Sequence, residues 1–169
     1  MPTDVNQLKT IKDVGRKEIL LSIARQPQSN RVFLGASDGK IYVGDPLAEK
    51  PEFAAWEAHS SYVTGVVLAA GGKLVSASYD GRLVWKNMET GETIRAVDAH
   101  SRWIRRLATS PDGQLVASVA DDMACRVWNA ESGELKVELR GHAPVTPHNF
   151  PSMLYGCGFS PDGAFLATA

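Results

Sequence analysis

The sequence predicts an all-β protein of repeated four-stranded antiparallel units, and three observations carry that expectation. Aspartates in "ASDGKIYVG", "SYDGRLVW" and "ADDMACRVW" (Asp38, Asp80 and Asp122) stand 42 residues apart, twice. Histidines in "EAHSSYV", "DAHSRWI" and "RGHAPVT" (His59, His100 and His142) follow at spacings of 41 and 42, and Pro27 precedes Pro111 by 84, two periods. In that register Arg16 occupies the place of His100. Between these markers lie short runs of β-branched or aromatic residues broken by turn residues, and helical periodicity is nowhere sustained. A fixed period of this length makes each copy one supersecondary unit, which buries its apolar faces against its neighbours.

One period can be read strand by strand. "RWIRRLATS", "QLVASVA", "ACRVWN" and "ELKVELR" are the four strands of the third copy. "SPDG", at 110–113 and again at 160–163, reverses the chain between the first two strands. Proline presets φ at the second turn position, aspartate suits the third and glycine the fourth. "ETGE" (89–92) and "ESGE" (131–134) do the same between the third and fourth strands. The chain therefore divides into a lone closing strand within 1–15, complete repeats at 16–58, 59–99 and 100–141, and a fourth at 142–169 that stops after two strands. From His142 to Ser160 is 18 residues, against 10 from His100 to Ser110, so "APVTPHNFPSMLYG" contains an insertion of eight.

Composition limits the function classes. The 169 residues are 44% hydrophobic and 22% charged with a net charge of −1, and the pI is ≈ 6.4. That balance disfavours nucleic acid or an anionic membrane as the partner. No run of eighteen apolar residues predicts a transmembrane helix, and "MPTDVNQLKTIKDVGRKE" has none of the apolar core of a secretory signal. With two cysteines, Cys125 and Cys157, and no Asn-x-Ser/Thr tripeptide, the expected setting is reducing and cytoplasmic.

The repeat, its Gly-His marker "RGH" (140–142), "FSPDG" at 159–163 and the segments Asp80–Trp85 and Asp122–Trp128 together resemble the WD-repeat β-propeller family. The resemblance covers nearly the whole chain from about residue 8. The family's naming dipeptide reads Trp85-Lys86, Trp128-Asn129 and, in the first period, Gly44-Asp45, and Asp80–Trp85 is one residue shorter than Asp122–Trp128. The resemblance implies a buried tetrad in each blade: Asp takes an imidazole N–H, the other imidazole nitrogen meets a hydroxyl, and the hydroxyl reaches an indole N–H. Its members would be His59, Ser78, Asp80 and Trp85 in the second repeat. The third offers His100, Asp122 and Trp128, with Ala120 where the hydroxyl is expected and Ser118 two positions away; the fourth offers His142. The resemblance also implies a partner-binding rim at Tyr62, Tyr79, Trp103, Arg105 and Asp121. The insertion adds His148, Asn149 and Phe150 as tip residues, since loop insertions on a rigid scaffold carry function.

Catalysis is read against. Ser, His and Asp invite a triad, yet parts of the set recur once per repeat in strand interiors, where a nucleophile lacks exposure. Histidines in different blades cannot share one tetrahedral zinc, no Cys-x-x-Cys exists, and "SPDG" lacks the alternating oxygens of a calcium loop. The inner strands "ILLSIA", "YVTGVVLA", "WIRRLATS" and "LYGCGFS" offer neither acid nor histidine to a central channel. Cys125 and Cys157 fall at apolar strand positions and read as core, and "SRWIRR" reads as a solvated basic face. The expectation is a non-enzymatic scaffold without metal or cofactor that holds a protein or peptide partner on its rim. The alternative is a propeller enzyme, or a regulatory propeller of a larger catalytic protein. Because the fourth repeat lacks an Asp-to-Trp segment, the chain is expected to be a fragment, a truncated product or part of an oligomeric ring, with unpaired edges open to self-association.

Overall fold

The computed structural model describes residue 10, residues 12–145 and residues 152–169. These residues form fourteen β-strands and no helix. Strands β1 (Leu20–Arg25), β2 (Val32–Ala36), β3 (Lys40–Gly44) and β4 (Phe53–Glu57) make the first four-stranded blade. Strands β5 (Val63–Ala69), β6 (Lys73–Ser78), β7 (Arg82–Asn87) and β8 (Thr93–Asp98) make the second. The third comprises β9 (Ile104–Thr109), β10 (Leu115–Ala120), β11 (Cys125–Asn129) and β12 (Leu135–Leu139), and β13 (Cys157–Phe159) pairs with β14 (Leu166–Thr168) in a two-stranded sheet. Every pairing is antiparallel between strands consecutive in the chain. The fold is the all-β, bladed architecture that the repeat predicts.

The turns follow the residues that were expected to make them. In the first SPDG, Gly113 N–H donates to Ser110 C=O (2.8 Å) with Gly113 at φ 72°. The Ser110 hydroxyl donates to Asp112 and accepts from Leu115 N–H, at 2.5 and 2.9 Å. The second copy repeats all of this at Ser160, Asp162, Gly163 and Phe165. Of the lone strand expected within 1–15, residues 10 and 12–15 are described and none is in a strand. A strand forms only against a partner edge; here the Lys12 ammonium donates to the Ala48 carbonyl in the β3–β4 loop instead.

Packing explains why the inner strands read as nearly continuous apolar runs. A blade between two others buries both faces. Val75, Ala77, Leu83 and Trp85 of the second blade pack on Val116, Ala120 and Trp128 of the third. The opposite face of the second blade, through Leu74, meets Phe33, Ile41 and Val43 of the first. Val119 and Cys125 of the third meet Leu154, Cys157 and Leu166. Each such buried aliphatic side chain contributes about 1.5–3 kcal/mol. Hydroxyls stitch neighbouring blades near the axis: Ser22 donates to Val63 C=O (3.2 Å) and Thr64 to Ile104 C=O (2.6 Å).

Register corrects one expectation. Leu74 pairs with Lys86, and Val116 with Trp128; Val75 pairs with Trp85, and Ala117 with Val127. Strands β6–β7 and β10–β11 are thus offset by 42 residues throughout, so nothing is missing between Asp80 and Trp85. The one-residue difference lies in the β5–β6 turn, where "AAGG" (69–72) stands for "SPDGQ" (110–114), with Gly71 and Gly72 at φ 71° and 68°. Trp85 therefore occupies the place of Val127, and Lys86 that of Trp128. One position along a strand is the opposite face of the sheet, so Trp85 points at the third blade and donates its indole N–H to Ala130 C=O at 3.0 Å. Trp85→Phe should leave that buried carbonyl unpaired and cost about 1–3 kcal/mol. Urea denaturation checks this, with a lower midpoint at an unchanged slope.

Candidate functional site

Two carboxylates organise one edge of the blades. Asp80, at the β6–β7 corner, accepts from His59 Nδ1–H (3.0 Å), from Ser60 N–H (3.1 Å) and from Arg82 N–H (2.9 Å). Asp122, at the β10–β11 corner, accepts from His100 Nδ1–H (3.0 Å), Ser101 N–H (3.3 Å), Ala124 N–H (3.2 Å) and the Arg126 guanidinium (2.9 Å). Each carboxylate ties a loop between blades to a corner within a blade. The fit is close at Gly81 (φ 80°), where a Cβ would lie 2.5 Å from His100 C=O; only glycine meets both demands. Burial alone would raise the Asp122 pKa, but the hydrogen bonds from Arg126 and His100 outweigh it and bring the carboxyl down to about 2. Burial lowers the His100 pKa, against the pull of Asp122.

The remaining tetrad bonds fall elsewhere than expected. His59 Nε2 meets Ser76 Oγ (2.9 Å), and His100 Nε2 meets Ser118 Oγ (2.7 Å). Trp128 donates its indole N–H to Ser118 Oγ (2.9 Å), so the complete chain Asp122–His100–Ser118–Trp128 is in the third blade. Ser78 is not a member: its hydroxyl accepts from Asp80 N–H at 3.1 Å. With Nδ1 held at the corner, Nε2 lies on the far side of the ring, deeper in the sheet, beside the same-face residue two positions earlier. Trp85 is not a member either, for the register reason given above. Lys86 takes the Trp128 position; it is buried and donates to Gly91 C=O (3.1 Å) and Thr93 Oγ1 (2.8 Å).

The outer repeats keep parts of the device. In the first, Leu34 stands where the serine would be, Tyr42 O–H donates to Asp38 (2.7 Å), and Arg16 stacks 3.8 Å above the Tyr42 ring. In the fourth, His142 Nε2 meets Thr168 Oγ1 at 2.7 Å. Thr168 follows Ser118 by 50 residues, the distance that separates the two SPDG serines.

The same loops bring five expected rim residues together. Tyr62 stacks on Tyr79 (centroids 5.7 Å, 21°), and Tyr79 on Trp103 (4.5 Å, 12°). Arg105 donates from Nε and Nη2 to the two oxygens of Asp121 (2.7 and 2.8 Å) and from Nη1 to Tyr79 Oη (2.8 Å). Its guanidinium lies 5.1, 5.2 and 5.1 Å from the rings of Tyr79, Trp103 and Tyr155. Tyr62, Trp103 and Tyr155 are 44%, 51% and 62% exposed. His148, Asn149 and Phe150 lie outside the described residues.

Sequence reasoning missed Tyr155 and Met153, whose Sδ lies 3.6 Å from Arg105 Nη2. Counted back from SPDG, Met153 holds the place of Trp103 and Tyr155 that of Arg105. That count, rather than the histidine marker displaced by the insertion, was the signal. Among the described residues no three His, Cys, Asp or Glu side chains gather as a metal site, and no helix is long and apolar enough to cross a membrane. Burial pushes the Cys125 thiol up to about 11, and burial with the neighbouring Cys125 pushes Cys157 up to about 12.

Comparison with known proteins places these blades. Residues 51–85 and 91–129 match the family described as WD40, "WD domain, G-beta repeat". Over 157 residues the chain is 29% identical to nuclear distribution protein PAC1 of Arthroderma otae, covering 79% of this chain and 34% of that protein. It is 31% identical over 115 residues to nuclear distribution protein PAC1-2 of Uncinocarpus reesii, covering 60% and 25%. It is 37% identical over 73 residues to the guanine nucleotide-binding protein subunit beta of Zea mays, covering 43% and 18%. The chain spans about a third of the length of the first of these relatives.

Two outcomes follow from the clamp. Ser118→Ala should cost about 1–3 kcal/mol, because it strips partners from both His100 and Trp128, and should cost more than Ser76→Ala, which strips His59 but no indole; chemical denaturation compares them. His100 and Asp122 of the third clamp both have folded pKa values below their unfolded ones, so through them the folded state binds fewer protons. Their stabilisation is complete at neutral pH. It falls first as His100 is driven to protonate below its ordinary 6.5, then as pH drops from 3.8 towards 2 through Asp122. Denaturation midpoints measured down that pH series should decline in this order.

Proposed function

We propose, on the premise that this chain carries WD40 repeats, that it is a non-catalytic interaction module whose rim holds a protein or peptide partner. The observation that supports this reading most is the exposed ladder of Tyr62, Tyr79 and Trp103 braced by the Arg105–Asp121 pair. Exposed tyrosine and tryptophan beside arginine have the composition of binding hot spots, and stacking fixes the rings in advance, which lowers the ordering cost of association. A relative named as a subunit of a guanine nucleotide-binding protein supports assembly with other chains over turnover. The inner strands leave no acid or histidine at the axis, which weighs against a propeller enzyme.

A photocrosslinking amino acid placed at Tyr62 should capture a discrete partner from native extract, with unlabelled protein competing. The same group at Thr90, on the opposite edge of the second blade, should not. Trp103→Ala should cut the Tyr62 adduct by about tenfold, the loss of a hot spot. Equal capture from both edges would overturn the reading.

A further inference from the structure

The rim invites Arg105 as the receptor for a partner's anion, yet four of its five N–H donors are already engaged. Nε and Nη2 go to Asp121, Nη1 to the Tyr79 hydroxyl, and Nη2 also reaches Met153. Tyr79, Trp103 and Tyr155 surround the same guanidinium. It is an internal staple: a cation already caged by the rings it holds in place. Releasing it to a partner would strand the Asp121 carboxylate, itself nearly buried at 9% side-chain exposure.

The acids of the rim are spent in the same way. Asp80 and Asp122 are each filled by a histidine and backbone N–H groups. The charge left over is Arg102, which is exposed and makes no ion pair among the described residues. It stands at the mouth of a cleft of ≈ 410 Å³ between Trp103 and the Tyr79–Gly81 corner, with Ser101 and Asp121 on the other walls. One face of Trp103 is covered by Tyr79, while half of its surface stays open.

We propose that this cleft takes an acidic peptide: an apolar side chain of the partner packs on Trp103, and an anionic oxygen, carboxylate or phosphate, pairs with Arg102. The inference rests on the rim reading above and specifies its partner. Charge complementarity carries it, because the one unengaged charge at the mouth is positive, Asp121 is paired with Arg105, and Asp80 is nearly buried with its oxygens engaged by His59, Ser60 and Arg82. Salt weakens the pairing, since the Arg102 head is solvated.

The test uses the full chain and fluorescent octapeptides read by anisotropy. One alternates Glu with Phe; others replace Glu by phosphoserine, Glu by Lys, or Phe by Ala; a dT octamer is the nucleic-acid control. The Glu–Phe or phosphoserine–Phe peptide should bind at least about tenfold tighter than the Lys–Phe and Glu–Ala peptides. Arg102→Glu, a change at an exposed loop position, should remove that preference, and Trp103→Ala should weaken both anionic peptides. A phosphoserine peptide tighter than its Glu twin assigns phosphate as the anion, and equal affinities assign a carboxylate. Lys–Phe binding as well as Glu–Phe, indifference to Arg102→Glu, tighter binding of the dT octamer, or no peptide binding below about 1 mM each overturns the proposal. If the Tyr62 photocrosslink still captures its partner from Arg102→Glu at the wild-type level, the anion contact is wrong and the rim reading stands. Loss of discrimination between the Tyr62 and Thr90 probes would remove the rim reading itself.

Discussion

The rest of this structure depends on a carboxylate that has two loops to hold. Asp80 and Asp122 each gather a histidine, a backbone N–H from the loop between blades, and a backbone N–H from their own corner. The shared acceptor makes the two loops one body. Because Tyr62 and Tyr79 flank the first clamp, and Trp103 and Asp121 the second, the exposed ring ladder takes its geometry from buried polar bonds. The ring ladder is therefore as rigid as the blade edges that carry it, although Tyr62, Tyr79 and Trp103 all sit in loops.

Much of this was legible from spacing alone. The 42-residue recurrence of Asp38, Asp80 and Asp122 marks the corners, SPDG marks the first turn, and the β-branched runs between them are the strands. Which serine belongs to the tetrad was not legible, because Ser76 and Ser78 share a face and only the depth of the imidazole separates them. Trp85 misled for the complementary reason. Aligned by residue type it matched Trp128; aligned by strand register it matches Val127. Identity of a side chain is a weaker guide than parity of its position, since one step along a strand exchanges one blade interface for another.

That exchange has a consequence for how the blades cohere. In the third blade the indole N–H closes a hydrogen-bond chain inside its own sheet, whereas Trp85 spends its N–H on Ala130 of the next. The second blade thus trades a bond within itself for one between blades and fills the vacated place with Lys86, whose ammonium finds Gly91 and Thr93. Burial of that ammonium lowers its pKa, against the weaker pull of Glu57, so the substitution costs something locally. The return is a further polar tie across an interface whose middle is non-directional apolar contact, and a directional bond fixes relative orientation where packing alone allows sliding.

Orientation between the second and third blades is what the rim requires. The ring ladder crosses that junction: Tyr62 and Tyr79 belong to the second blade, Trp103 and Arg105 to the third. Thr64 bridges the same junction at the axis, Arg105 to Tyr79 at the rim, and Trp85 to Ala130 near the opposite edge. Three hydrogen bonds at three corners of one interface resist hinge and shear alike, whereas the fold asks only that apolar faces meet. Two departures from the repeat, Trp85 and Arg105, are thus better read as ties across this junction than as erosion of the fold.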